Sequence, residues 1–154
     1  MNKFISKGKT KIVEGTILAP ENAGLRFIVN FVGLSGKFDA PVDLILTKKY
    51  ANVKSSYKEW HATRLGFKPG EVRDVAVNSD TWVKSLLVRD NDGKIDEKSL
   101  ETAVKKLATQ AKYERASVHV STLLTTEAPS LSKLLKDNLI DEGVTVYFYE
   151  EPKL

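Results

Sequence analysis

The sequence of 154 residues contains no cysteine and only two histidines. Disulfides, thiolate catalysis and zinc sites with cysteine ligands are therefore excluded. With so few histidines we expect no metal site, and no motif indicates a bound cofactor. A chain without cysteine suits a reducing compartment. We therefore predict a cytoplasmic protein.

Long apolar runs are also missing. No run approaches the roughly 20 residues that a membrane-spanning helix needs, and the start, "MNKFISKGKTKIVEG", lacks the apolar core of a signal peptide. We expect a protein without a membrane partner.

Neither common glycine-rich phosphate motif, G-x-x-x-x-G-K-[ST] or G-x-G-x-x-G, occurs. The nearest glycine cluster is "VGLSGKF", residues 32–38, which follows a predicted strand. Gly33 and Gly36 would let the backbone approach a ligand there. A turn between a strand and a helix explains them equally well.

Hydrophobic periodicity predicts strands alternating with helices. We expect strands over 10–18, 25–33, 71–77, 81–88, 117–123 and 144–150, and helices from Pro41 and over 53–65, 96–114 and 130–142. This order is typical of a single α/β domain, residues 1–154, with helices around a mixed sheet. The predicted hairpin at 71–88 argues against an all-parallel sheet.

The net charge is +4, and Lys3, Lys7, Lys9 and Lys11 concentrate positive charge near the start. Such a surface can attract nucleic acid or another macromolecular partner. Ordinary solvated lysines are the simpler interpretation.

Two local patterns suggest chemistry only superficially. Ser117 and His119 are two residues apart on one strand, where we expect their side chains to diverge, so His119 is interpreted as structural. "DNDGKIDEKSLE", residues 90–101, has Asp90 and Glu101 at the ends of a calcium-like loop. Its glycine falls fourth rather than sixth, so a turn before a helix cap explains it better.

The segment "LTTEAP", residues 124–129, follows the strand at 117–123. Ligands of open α/β sheets usually bind at this end of the strands. A loop that wraps a phosphate normally contains glycine, and this segment has none.

The order of segments resembles the macrodomain family over about residues 10–150. "PGEV" (69–72), "ASVH" (116–119) and "VTVY" (144–147) carry the likeness. It is closest to short stand-alone macrodomains of phage or bacterial type, which include ADP-ribosylglutamate hydrolases and ADP-ribose 1″-phosphate phosphatases. The resemblance implies a three-layer α/β/α sandwich and a groove for ADP-ribose.

The family's first ligand motifs are altered here. A "GDI" triplet, whose aspartate recognises adenine, is replaced by Gly15-Thr16-Ile17. Gly33 stands where the family has asparagine, and Asp39-Ala40-Pro41 occupies the glycine loop near the distal ribose. Proline offers no N–H, and Asp39 would repel a diphosphate.

The second phosphate loop corresponds to residues 121–127, with Leu124 and Thr126 in place of glycines. The acid used by some of these hydrolases falls at about Ala128, and a lysine that forms a covalent adduct in one of them falls near Val88. We assign no catalytic residue; Glu127 is the one candidate acid.

The ligand-binding residues implied by the resemblance are Thr16, Ile17, Gly33, Ser35, Gly36, Phe38, Thr125, Thr126 and Tyr147. Three functions stay open. The first is a remodelled, non-catalytic cleft for an altered nucleotide or a macromolecular partner. The second is ADP-ribose binding with hydrolase or phosphatase activity. The third is binding of nucleic acid through the basic surface.

Overall fold

The computed structural model describes residues 8–152, so the predicted contributions of Lys3 and Lys7 lie outside the described residues. Within them, one sheet contains six strands in the order β1-β6-β5-β2-β4-β3. The strands are β1 (Thr10–Glu14), β2 (Arg26–Gly33), β3 (Val72–Asn78), β4 (Thr81–Arg89), β5 (Ser117–Ser121) and β6 (Val146–Glu150). All neighbours are parallel except β3, which pairs antiparallel with β4. The mixed sheet is therefore confirmed.

Helices cover both faces of this sheet and confirm the α/β fold. They are α1 (Pro41–Thr47), α2 (Ala51–Thr63), α3 (Glu97–Glu114), α4 (Thr122–Glu127) and α5 (Leu131–Asn138). Asn30 of β2 bonds to Asp43 of α1, and Lys84, which lies over Phe27 of β2, bonds to Gln110 of α3. Residues 27 and 30 point to opposite faces of a strand. The helices α1 and α3 therefore lie on opposite sides of the sheet.

Helix α3 follows the prediction closely. The Asp96 side chain accepts a hydrogen bond from the Ser99 N–H at 3.1 Å and caps the first turn. The predicted stripe of Leu100, Val104, Leu107 and Ala111 is fully buried. Because it has a side-chain cap and a regular apolar stripe, this helix could be predicted from the sequence alone.

Several predicted elements have different bounds in the structure, including the helix over 53–65, observed as Ala51–Thr63, and the strand over 144–150, observed as Val146–Glu150. The first strand ends at Glu14 rather than continuing to residue 18, because Ile17 turns into the core and its N–H binds the Glu151 carboxylate at 2.7 Å. The strand predicted over 117–123 ends at Ser121. The helix predicted over 130–142 breaks at Leu139 into a short 3-10 turn.

The segment predicted as a loop after β5 forms helix α4 instead. The Ser121 hydroxyl accepts a hydrogen bond from the Leu123 N–H at 3.2 Å, which caps the helix. The Thr125 and Thr126 hydroxyls both donate to the Thr122 carbonyl, at 2.9 and 3.0 Å. The chain therefore forms a helix directly after β5 rather than an open loop.

The aromatic run of β6, Tyr147-Phe148-Tyr149, lies in an interior strand, because β6 pairs with both β1 and β5. Tyr147 and Tyr149 are buried, and Phe148 is partly buried. Among residues 8–152, no helix combines the length and apolar character needed to cross a membrane.

Candidate functional site

The carboxyl ends of the parallel strands border a groove made of three neighbouring chambers that share lining residues. The apolar chamber has a volume of about 690 Å³ and is lined by Thr16, Leu18, Pro41, Leu44, Ile45, Lys48, Leu123, Glu151 and Pro152. The central chamber, about 240 Å³, is lined by Pro41, Val42, Arg89, Leu123, Leu124, Thr126 and Glu127. The polar chamber, about 530 Å³, is lined by Gly33, Ser35, Lys37, Asp39, Ala40, Pro41, Asp43, Arg89, Asn91, Asp92, Gly93 and Glu127. Pro41 borders all three.

The apolar chamber holds one fixed carboxylate at its edge. Glu151 follows β6 directly, and its Oε2 atom accepts a hydrogen bond from the Ile17 N–H at 2.7 Å. The Thr16 hydroxyl accepts from the Leu18 N–H at 3.1 Å and stabilises the same turn. A second Glu151 oxygen remains for a donor group that enters the chamber.

Arg89 and Glu127 join across the boundary of the central and polar chambers. Arg89 Nε lies 2.8 Å from Glu127 Oε2, and Nη2 lies 2.8 Å from Oε1, so the pair is bidentate. Arg89 Nη1 also donates to the Phe31 carbonyl at 2.6 Å. A Cβ atom at Gly33 would lie 3.0 Å from the Arg89 Cβ. Because glycine has no Cβ, Gly33 leaves room for the side chain of Arg89.

Asp43 is a buried acid beside the polar chamber. Its Oδ1 accepts from Asn30 Nδ2 at 3.0 Å, and its Oδ2 accepts from the Ala40 N–H at 3.1 Å, within the first turn of α1. Burial raises the pKa of the Asp43 carboxyl to about 6, against the opposing effect of the Asn30 hydrogen bond. Asn30 Oδ1 is buried and has no hydrogen-bond partner among residues 8–152.

Helix α2 stabilises the loop after β2 through the hydroxyl of Tyr57. The Tyr57 hydroxyl donates to the Gly33 carbonyl and accepts from the Gly36 N–H at 3.0 Å. Phe38 packs on Tyr57, with ring centroids 5.7 Å apart, and is buried. The N–H of Gly36 is therefore bonded inside the protein rather than directed at the groove.

The structure brings together only some of the residues that the resemblance implied. Thr16, Gly33, Ser35 and Thr126 line the groove, as does the candidate acid Glu127.

The other implied residues lie elsewhere. The side chains of Ile17 and Phe38 are buried in the core, and neither Gly36 nor Thr125 lines a chamber. Tyr147 is buried as well and stacks on His119, with ring centroids 4.7 Å apart. The side chains of Ile17, Phe38, Thr125 and Tyr147 are occupied in packing or in local hydrogen bonds, and the Gly36 N–H is bonded to Tyr57.

The expectation that Ser117 and His119 diverge was wrong. Ser117 Oγ lies 2.7 Å from His119 Nε2, and His119 Nδ1 lies 2.7 Å from the Tyr149 hydroxyl. That hydroxyl accepts from the Glu21 N–H at 2.8 Å, and Ser117 Oγ lies 3.4 Å from the Leu25 carbonyl. A neutral His119 with hydrogen on Nε2 satisfies every member of this chain, with Ser117 donating to Leu25.

This hydrogen-bond chain stabilises the fold and has no catalytic arrangement. His119 donates to Ser117 in that arrangement, so it does not act as a base toward the hydroxyl. Burial, with a smaller effect of Arg26, lowers the pKa of His119 to about 3. The chain ties β5 and β6 to the segment that precedes β2.

Sequence reasoning missed Arg89, Asp43 and Glu151. Arg89 and Glu151 stand at the carboxyl ends of β4 and β6, the positions where α/β sheets place functional groups. That positional rule was the available signal for both. Asp43, inside an apolar helix segment, carried the signal of a polar residue on a buried face. No group of three or more histidine or acidic side chains within residues 8–152 is arranged to hold a metal ion.

The fold matches solved macrodomain structures. A macrodomain protein from Streptomyces coelicolor superposes with a TM-score of 0.87 at 22% identity, over 94% of this chain and 100% of that one. The macrodomain of Thermus aquaticus DarG gives 0.72 at 18% identity, over 93% and 99%. Thermosipho africanus DarTG, solved in complex with ADP-ribose, gives 0.65 at 14% identity, over 81% of this chain and 38% of that one.

No protein-family model and no curated protein sequence matches the chain. The likeness is therefore one of structure, at sequence identities below 25%. It shows that the chain has the macrodomain fold.

Proposed function

We propose that the groove binds a nucleotide of the ADP-ribose type and holds it without cleaving it. The observation that supports this most is the order of the three neighbouring chambers, from apolar to polar, around Pro41 at the carboxyl ends of the strands. A nucleotide with a base, a phosphate-bearing middle and a sugar has the same order of chemistry. The solved complex of a structural neighbour with ADP-ribose supports the same ligand class.

The base end of the ligand suits the apolar chamber. Leu18, Ile45 and Leu123 offer apolar surface for the faces of a purine. The Glu151 carboxylate accepts hydrogen bonds from the exocyclic amine of adenine. It thereby supplies the negative charge that Thr16 does not bring to the altered Gly15-Thr16-Ile17 triplet.

The middle of the ligand lies against Arg89. Because Gly36 is bonded to Tyr57 and the second loop is a helix, backbone N–H groups do not provide a glycine-type cradle. A guanidinium binds phosphate oxygens through two parallel hydrogen bonds. We therefore assign the binding of the diphosphate to Arg89.

The far end of the ligand lies in the polar chamber. Ser35 and Asn91 carry hydroxyl and amide groups that suit the hydroxyls of a ribose. Asp39 and Asp92 accept hydrogen bonds from the same hydroxyls. This end also bears any group linked to the ribose, because the chamber opens to solvent.

Glu127 and Asp43 are the two acids in this region that could serve as a general base. Glu127 is directed at Arg89 by two hydrogen bonds, and Asp43 is buried and bonded to Asn30 and Ala40. A general base must lie within hydrogen-bond reach of the attacking water. We expect neither carboxylate to reach such a water, because Asp43 is buried and Glu127 either stays on Arg89 or turns outward to solvent when a ligand takes its place.

The test combines binding and turnover. A peptide carrying ADP-ribose on a glutamate is incubated with the protein, and both complex formation and released ADP-ribose are measured. We expect a complex and an intact peptide. Release of ADP-ribose that disappears in the Glu127→Gln variant would overturn the non-catalytic assignment.

A further inference from the structure

The anion-binding group of the groove is already occupied by a side chain of the protein. Within residues 8–152, Arg89 is the one cationic residue that lines both the central and the polar chamber. Its side chain is 10% exposed. Its Nε and Nη2 atoms form the two parallel hydrogen bonds of the guanidinium fork, and both go to Glu127.

Glu127 is held less firmly than Arg89. Arg89 is fixed from behind by the Phe31 carbonyl and by the close approach of Gly33. Glu127 is the last residue of α4, and its side chain is 32% exposed. Among the described contacts, the Glu127 carboxylate has hydrogen bonds only with Arg89. It is therefore free to rotate toward solvent without breaking another hydrogen bond.

A carboxylate and a phosphate present the same pair of acceptor oxygens to a guanidinium. We propose that Glu127 is a displaceable occupant of the Arg89 anion site. An entering phosphate group takes over Nε and Nη2 of Arg89, and Glu127 turns outward. The identity of that phosphate as part of an ADP-ribose-type nucleotide rests on the proposed function.

This exchange makes the groove selective. A neutral ligand, or one with a single weak acceptor, does not replace the bidentate ion pair. A diphosphate brings more than one negative charge and more acceptor oxygens, so it competes effectively.

The decisive variant is Glu127→Gln, which keeps the shape of the side chain and removes its charge. The matched control is Glu101→Gln, on the exposed face of α3, which changes the net charge equally. Inorganic pyrophosphate and ADP-ribose are titrated into the wild type and both variants. Thermal melting confirms that each variant is folded.

We expect pyrophosphate to bind Glu127→Gln about tenfold more tightly than the wild type, as the competing charge-assisted pair is lost. Glu101→Gln should behave as the wild type. Adding Arg89→Lys to Glu127→Gln should remove the gain, because lysine lacks the fork. Equal affinity in Glu127→Gln and the wild type, the same gain in Glu101→Gln, or no pyrophosphate binding to any variant would overturn the inference.

The two proposals fail differently in this experiment. If pyrophosphate binds Glu127→Gln more tightly but ADP-ribose binds no better than pyrophosphate, the exchange stands and the nucleotide assignment fails. If ADP-ribose binds the wild type well and Glu127→Gln changes neither ligand's affinity, the nucleotide assignment stands and the exchange fails.

Discussion

The Asp43 carboxyl and the Asn30 amide share a hydrogen bond of 3.0 Å beneath the polar chamber, and both side chains are buried. The amide oxygen, Asn30 Oδ1, has no hydrogen-bond partner within the described part of the chain. Asn30 lies opposite Ser85 on β4, whose hydroxyl is also buried and without a partner there. The floor of the groove therefore carries polar atoms whose desolvation is not fully offset.

The raised pKa of Asp43 predicts a pH-dependent stability. The folded state favours the protonated acid up to pH values near its pKa of about 6, whereas the unfolded state releases the proton near the ordinary value of 3.8. Stability from this group is therefore full at low pH and is lost as pH rises through about 6. The loss amounts to at most about 3 kcal/mol.

The Asp43→Asn variant isolates this effect, since its side chain is neutral at every pH. We expect the variant to gain stability relative to the wild type as pH rises from about 4 to about 7. Urea unfolding at several pH values measures the difference, with Asp39→Asn as an exposed control. A difference between Asp43→Asn and the wild type that does not change with pH would contradict the assignment.

Glu151 predicts the choice of base. A carboxylate accepts from the amine of adenine but repels the carbonyl oxygen at the same position of hypoxanthine. We expect the wild type to bind ADP-ribose about tenfold more tightly than its hypoxanthine analogue. Glu151→Gln should reduce that preference, because an amide both donates and accepts. Competition titrations measure this base preference, with Glu14→Gln on the exposed β1 strand as the control. An unchanged preference in Glu151→Gln would show that Glu151 does not contact the base.

The hydrogen-bond chain through His119 predicts a stability effect that is separate from binding. Tyr149→Phe leaves His119 Nδ1 and the Glu21 N–H without their partner, which should cost about 1–3 kcal/mol. Nucleotide affinity should stay the same, because the chain lies away from the groove. Chemical unfolding and calorimetry measure the two quantities. A loss of affinity without a loss of stability would contradict the structural role.

The same chain predicts how His119 titrates. Because the folded pKa is lowered to about 3 from the ordinary 6.5, the imidazole should stay neutral down to about pH 4.5. Its contribution to stability is full above the unfolded pKa and declines as pH falls toward 3. The ring resonances in NMR spectra report this directly. A midpoint near 6.5 would mean that the ring is not buried as described.

Alanine variants of Gly36 and Gly66 distinguish the cost of a steric clash from the cost of a positive φ. Both have positive φ, at 85° and 66°, but a Cβ at Gly36 would lie 2.7 Å from His61 Cε1, whereas one at Gly66 meets nothing within 4 Å. Each alanine variant should lose about 1 kcal/mol from the positive φ. Gly36→Ala should lose more, because the loop must shift against His61. Equal losses in unfolding experiments would show that the loop after β2 has room to move.

The sequence was most informative where local and tertiary preferences agree. Helix α3 has a cap at Asp96 and an unbroken buried stripe, and its prediction was confirmed. The hairpin predicted at 71–88 was confirmed as well, as the antiparallel pair of β3 and β4. The resemblance added the topology, which periodicity alone does not give.

The groove was harder to predict, because its groups come from distant positions. Arg89 and Glu127 are 38 residues apart, and Ile17 and Glu151 are 134 apart. No local pattern pairs such residues. Helix α4 was missed for another reason. Its threonines favour strands by propensity, and the cap at Ser121 decides the outcome.

Calorimetric titration with ADP-ribose at low and moderate salt measures directly whether the groove binds this nucleotide. We expect a dissociation constant in the micromolar range, weakened by salt because the proposed contact between Arg89 and the diphosphate is ionic. We also expect loss of binding when Leu123→Glu places a charge in the apolar chamber, while the exposed Leu65→Glu control keeps it. No heat up to millimolar ligand, in both the wild type and Glu127→Gln, would contradict the assignment of this groove to an ADP-ribose-type nucleotide.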